Sequence, residues 1–81
     1  MSLVAGSQIR AARALLGLDQ TQLAEAAGVA LNTVSRIEGY LDRVPARHDT
    51  VRRLQRALEE QGIEFLDDGG PGVRLRAPSA A

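Results

Sequence analysis

The stretch DQTQLAEAAGVALNTVSRIEGY, residues 19–40, contains two short helical patterns separated by a glycine. Asp19 can accept a hydrogen bond from the first turn of a helix, and Gln22 can reach back to Asp19, which is a capping box. A helix is therefore predicted to begin at Gln20. Its apolar face consists of Leu23, Ala24 and Ala27. The chain is expected to leave this helix at Gly28, which would have a positive φ.

A second helix is predicted over about residues 31–39. Val34 and Ile37 fall on its inward side, and Val29 enters the core before it. Its outward side is polar and consists of Asn32, Thr33, Ser35 and Arg36. The small residue at Ala24 allows the two helices to cross closely through the turn. The prediction is a helix-turn-helix that presents a polar ridge of the width of a DNA major groove.

Twelve residues carry a resemblance to a known family: Leu18, Gln20, Leu23, Ala24, Gly28, Val29, Thr33, Val34, Ser35, Arg36, Ile37 and Glu38. The pattern Q-x-x-L-A-x-x-x-G-V followed by T-V-S-R-I-E resembles the motif of the phage-repressor-like (Xre, lambda-repressor-like) transcriptional regulators. The resemblance extends more loosely over residues 6–62. It implies a mostly α fold, a four-helix lambda-repressor-like domain. The chain departs from the pattern at Ala30, where the family usually has a Ser or Thr cap, at the apolar Leu31, and at Gly39-Tyr40, where the usual Gly is shifted.

The resemblance also implies roles for individual residues. Helix 31–39 would enter the major groove, and the expected base-reading residues are Leu31, Asn32, Thr33 and Arg36. The expected DNA phosphate contacts are Gln20, Arg10, Tyr40, Arg43 and Arg47. Arg43 and Arg47 flank the start of a predicted helix whose free amides favour an anion. A plain surface role is the alternative for Arg10, Tyr40, Arg43 and Arg47. Arg13 and Glu38 are expected to form a structural ion pair, the alternative being two solvated surface charges.

Length and composition indicate one small domain. Eighty-one residues give a marginal core unless a partner, such as a second copy, buries more surface. The chain has no cysteine, no pattern of a signal peptide and no apolar run long enough for a membrane span, so we expect a cytoplasmic protein. All ten basic residues are arginine, which together with the many alanines indicates a GC-rich bacterial genome. As a DNA-binding protein, it is expected at the bacterial nucleoid.

The net charge is zero, but it is unevenly distributed. Through Arg56 there are eight arginines and five acidic residues, and from Ala57 onward there are two arginines and five acidic residues. Because phosphate neutralisation contributes much of the affinity for DNA, the acidic half is expected to face away from it.

The rest of the chain is predicted as support for this motif. Residues 1–5 are expected to be a flexible N-terminus, and residues 6–62 the helix-turn-helix domain. A first helix over about 7–16 would bury Ile9, Ala12, Leu15 and Leu16. A loop over 40–48 precedes a fourth helix from 49 or 50 to 61, with the arginines Arg52, Arg53 and Arg56 on its solvated surface. Residues 77–81 are expected to be a disordered tail.

Residues 63–76 alternate apolar and polar side chains around a turn at 67–72, which predicts a β-hairpin. An isolated hairpin is marginal in water, so it must pack against the helices or against another copy. The candidates for dimerisation are Ile63, Phe65, Leu66, Val73 and Leu75.

No enzyme, metal site or cofactor is expected. His48 is the only histidine, and Gly69-Gly70-Pro71-Gly72 is explained by turn chemistry, since it lacks the ending of a phosphate-binding loop. The protein is expected to be a sequence-specific transcriptional regulator, and more specifically a repressor. It would bind double-stranded DNA as a homodimer. The alternatives are an antitoxin-like regulator with a toxin or other protein as partner, and a protein-interaction module with little or no DNA binding.

Overall fold

The computed structural model describes residues 5–39 and 48–76, which form four helices and a hairpin. In chain order the elements are α1 (Gly6–Leu16), α2 (Gln20–Ala27), α3 (Leu31–Glu38), α4 (His48–Glu60), β1 (Ile63–Leu66) and β2 (Gly72–Leu75). The mostly α fold with a C-terminal hairpin is therefore confirmed. Three predicted segments lie wholly or mostly outside the described residues: 1–4 of the flexible N-terminus predicted at 1–5, 40–47 of the loop predicted at 40–48, and the tail predicted at 77–81.

The N-terminus of α1 differs from the prediction. Ala5, which the sequence places in the flexible segment, is buried and caps the helix. Its N–H donates to Oε1 of Gln8 at 2.8 Å, and the Gln8 N–H donates to the Ala5 carbonyl at 3.0 Å. These two bonds satisfy the N–H groups of Ala5 and Gln8 at the start of the helix, and α1 begins at Gly6.

The helix-turn-helix has the local geometry that its sequence predicts. The Gln22 N–H donates to Oδ1 of Asp19 at 2.7 Å, and the Asp19 N–H donates to Oε1 of Gln22 at 2.9 Å. Gly28 has a φ of 69°, which permits the Val29 N–H to donate to the Ala24 carbonyl at 3.1 Å. These bonds end α2 and turn the chain directly into α3.

One core joins the four helices and the first strand. It consists of Ile9, Ala12, Leu23, Ala24, Ala27, Val34, Ile37, Val51, Leu54, Ala57, Leu58 and Ile63, with Leu16, Val29, Phe65 and Val73 packed against it. Leu15 was expected in this core, but 48% of it is exposed. The helical period explains the difference, because Ile9, Ala12 and Leu16 share a face that Leu15 does not.

The hairpin packs against the helices of its own chain. Nε2 of Gln8 donates to the carbonyls of Leu66 at 3.0 Å and Gly72 at 2.8 Å, and Ile63 is fully buried. The strands pair antiparallel with Ile63 opposite Leu75 and Phe65 opposite Val73. Strand β2 begins at Gly72 and ends at Leu75, so the turn is one residue shorter than predicted.

Three further helix ends shift by a residue or two. Helix α3 ends at Glu38 rather than at 39, and α4 runs from His48 to Glu60 rather than from 49 or 50 to 61. Gly62, with a φ of 105°, then turns the chain into β1.

Candidate nucleic-acid interface

Helix α3 divides sharply into a buried side and an exposed side. Val34 and Ile37 are fully buried, and Glu38 is nearly so. We call the exposed side the reading face; it consists of Leu31, Asn32, Ser35 and Arg36. In a helix, side chains four residues apart lie one above the other. The reading face is thus two parallel columns, Leu31 with Ser35 and Asn32 with Arg36.

Thr33 and Ser35 differ in how far they are exposed. Thr33 is half-buried and lies one turn before the buried Ile37, so it sits at the margin of the ridge rather than at its centre. Ser35 is exposed, and the base-reading set predicted from the sequence omits it. Its spacing of four from Leu31 and three from Asn32 is the signal that could have included it.

The expected pair of Arg13 and Glu38 is present and mostly enclosed. Arg13 Nε donates to Oε2 of Glu38 at 2.9 Å, and a second guanidinium nitrogen donates to Oε1 at 3.0 Å. The side chains are 20% and 3% exposed, respectively. A further bond from Arg13 reaches the Leu18 carbonyl at 2.9 Å. The hydrogen bond to Glu38 raises the pKa of Arg13 above its ordinary value, against the lowering effect of burial, so this guanidinium stays charged.

The pair connects three helices. Arg13 belongs to α1, Glu38 is the last residue of α3, and Gln20 at the start of α2 donates from Nε2 to Oε1 of Glu38 at 3.1 Å. Because a bidentate guanidinium fixes both distance and orientation, the C-terminal end of α3 is held against the other two helices. The reading face is therefore held at a fixed angle to the rest of the domain.

An open cleft of about 270 Å³ lies beside this pair. Its lining residues are Arg10, Arg13, Gln20, Ser35, Glu38 and Gly39. Arg10 is exposed at its edge, and Ser35 connects the cleft to the reading face. Arg10 and Gln20, both expected to contact phosphate, are thus brought together next to α3. The three other phosphate candidates, Tyr40, Arg43 and Arg47, lie outside the described residues.

Helix α4 carries a second group of arginines. Arg52, Arg53 and Arg56 are exposed and, with Asp49, line a separate cleft of about 290 Å³. The buried residues of α4 lie on its opposite side, so these arginines occupy a solvated helix surface, as the sequence predicts.

Two further properties concern only the part of the chain that the structure describes. Within residues 5–39 and 48–76, no group of three or more His, Cys, Asp or Glu side chains is placed to hold a metal ion. No helix in these same ranges has both the length and the apolar character needed to cross a membrane.

Two helices joined by a glycine turn, with an exposed polar ridge on the second, define a helix-turn-helix protein of the kind that binds DNA. A helix-turn-helix family model matches residues 9–38, which run from α1 to the last residue of α3. This match supports the resemblance of residues 9–38 to the Xre, lambda-repressor-like helix-turn-helix domains, which are DNA-binding regulatory domains. No curated protein gives a significant match.

Proposed function

We propose that this protein is a sequence-specific transcriptional regulator that inserts the reading face of α3 into the major groove. The observation that carries the proposal is the enclosed contact of Glu38 with Arg13 and Gln20, which fixes α3 while its opposite side stays exposed. A helix held in one orientation can place side chains against the same base edges each time it binds.

The side chains of the reading face suit this task. The amide of Asn32 has the geometry to bind adenine with two hydrogen bonds, and Arg36 can do the same with guanine. The hydroxyl of Ser35 can donate to or accept from a base edge or a phosphate oxygen. Arg36 and Asn32 are exposed and stacked in one column, so they would read adjacent base pairs.

The cleft beside α3 would supply the contacts to the DNA backbone. Arg10 is exposed there, and one N–H of the Gln20 amide remains after the bond to Glu38. Both would bind phosphate oxygens and fix the register without reading sequence. Arg43 and Arg47 stay proposed phosphate contacts because in the sequence they precede the start of α4, whose free amides favour an anion. Tyr40 stays a proposed phosphate contact as well.

We propose a homodimer that binds two half-sites about one helical turn apart. Burial of Ile63 in its own core removes it from the dimerisation candidates, and Phe65 and Val73 are partly used there. Leu75, which is 44% exposed, and the half-buried Leu66 are the remaining apolar residues of the hairpin for a second copy. We propose that binding represses transcription, because a dimer bound at a promoter excludes RNA polymerase.

Selection of duplexes from a random pool tests this function. The wild-type protein should enrich one sequence family with two related half-sites, and the variant Asn32→Ala/Arg36→Ala should enrich none. Arg56→Ala, which removes an exposed arginine from α4, is the matched control and should enrich the wild-type sequences. If the wild type enriches no sequence, the regulator is refuted, and the alternative of a protein-interaction module is favoured.

A further inference from the structure

Leu31 is an apolar residue on a reading face whose other residues are polar. Among the residues that the structure describes, the exposed large hydrophobic side chains are Leu15, Leu31 and Leu75. Single exposed leucines are common on protein surfaces and by themselves require no explanation. Leu31, however, is 45% exposed at the first residue of α3, in the same column as Ser35 and next to Asn32.

The end of the helix around Leu31 is apolar. The preceding residue, Ala30, is exposed, occupies the N-cap position and makes no side-chain hydrogen bond there. Ala30 and Leu31 therefore present adjacent methyl groups where a polar cap would present a hydroxyl. Neither side chain can donate or accept a hydrogen bond.

The chemistry of the major groove limits what such a surface can bind. Base edges there carry hydrogen-bond donors and acceptors, and the apolar group among them is the C5 methyl of a pyrimidine. A leucine placed against a bare donor or acceptor would remove water from it without replacing the hydrogen bond, which is costly. A leucine against a methyl group instead buries apolar surface on both partners.

We infer that Leu31 selects a pyrimidine bearing a C5 methyl group, at a base pair next to the one read by Asn32. This inference rests on the proposed function, and it adds a specificity-determining contact to it. The methyl group can come from thymine or from 5-methylcytosine.

Four duplexes that differ at one pyrimidine test the inference. They carry thymine, uracil, 5-methylcytosine or cytosine at each pyrimidine of the selected site in turn, so that two comparisons differ by the methyl group alone. At one position, the wild type should bind thymine about fourfold more tightly than uracil, the value expected for burying one methyl group. At that position, the affinity for the 5-methylcytosine duplex should exceed that for the cytosine duplex by a similar factor. Whichever of the two methylated duplexes binds more tightly identifies the natural ligand.

Variants assign the effect to Leu31. In Leu31→Ala, the affinity ratios of thymine to uracil and of 5-methylcytosine to cytosine should both fall to about one, while the preference for the rest of the site persists. Leu15→Ala is the matched control, because Leu15 is exposed to a similar extent on α1, and it should keep both ratios. Alanine is a good helix former, so neither variant threatens folding.

The outcomes separate this inference from the proposed function. A wild type that selects a sequence but shows equal binding with and without each methyl group overturns the inference alone. Unchanged ratios in Leu31→Ala also overturn it, because another side chain then reads the methyl. A wild type without any sequence preference overturns the regulator and the methyl contact together.

Discussion

Removal of the Arg13 guanidinium should strongly destabilise the fold. In Arg13→Met, the Glu38 carboxylate would stay buried with its two bonds from Arg13 lost and the Gln20 bond alone remaining, and the Leu18 carbonyl would lose its partner. Breaking a buried ion pair typically costs about 3 to 5 kcal/mol. Because the Arg13 side chain is 20% exposed and some water already reaches it, we expect the lower end, about 3 kcal/mol. That is a large part of the total stability of a domain of this size.

A double-mutant cycle measures the coupling within the pair. Arg13→Met, Glu38→Leu and the double variant would each be unfolded in urea, with the loss of helix followed by circular dichroism. The double variant should be less destabilised than the sum of the two single variants by about 2 kcal/mol, since it leaves no uncompensated buried charge.

The hairpin offers a matched control for this cycle. Arg74 and Glu64 form an ion pair at the same distance, 2.9 Å, but with side chains 61% and 37% exposed. The corresponding cycle there should give a coupling below about 1 kcal/mol, as is usual for exposed pairs. If the Arg13 cycle gives the same small coupling as the Arg74 cycle, then the pair is a solvated surface contact and our account of how α3 is held is wrong.

Three further substitutions have expected outcomes. Arg36→Ala should weaken binding by about 1 to 3 kcal/mol and relax selectivity at one base pair; an equal loss on all duplexes in titrations would make Arg36 a phosphate contact. Arg10→Ala should weaken binding to all sequences alike and reduce the slope of log affinity against log salt by about one unit. An unchanged slope would remove Arg10 from the interface. Gln8→Ala should lower the free energy of unfolding by about 2 kcal/mol or more in urea titrations, because it leaves the buried Ala5 N–H and two hairpin carbonyls without their partner; a cost below about 0.5 kcal/mol would show that Gln8 does not hold the hairpin.

Local signals predict the helix-turn-helix well. The capping box at Asp19 and the positive φ at Gly28 depend on residues a few positions apart, so the sequence specifies the start and end of α2 directly. The contact of Arg13 with Glu38 joins residues distant in sequence, and no periodicity predicts it. It was expected from the family resemblance, and the two side chains meet in the structure.

Contacts between distant elements are harder to predict. Gln8 is a polar residue in an amphipathic helix, and nothing in the local pattern indicates that its amide bonds two carbonyls about 60 residues away. For the same reason the alternation of residues 63–76 predicts a hairpin but not the surface that covers it. Leu15 shows a third limit, because a helical pattern does not say how wide the covered face is: Leu15 lies to one side of the face that Ile9, Ala12 and Leu16 share, and 48% of it stays exposed there.

The central claim is that the exposed side of α3 is the surface that meets DNA. Amide chemical shifts of the labelled protein, followed by NMR while a selected duplex is added, test it most directly. The largest changes should fall on Leu31, Asn32, Ser35 and Arg36 and along the cleft at Arg10 and Gln20. Changes confined to the outer side of α4 or to the hairpin, with α3 unaffected, would contradict it.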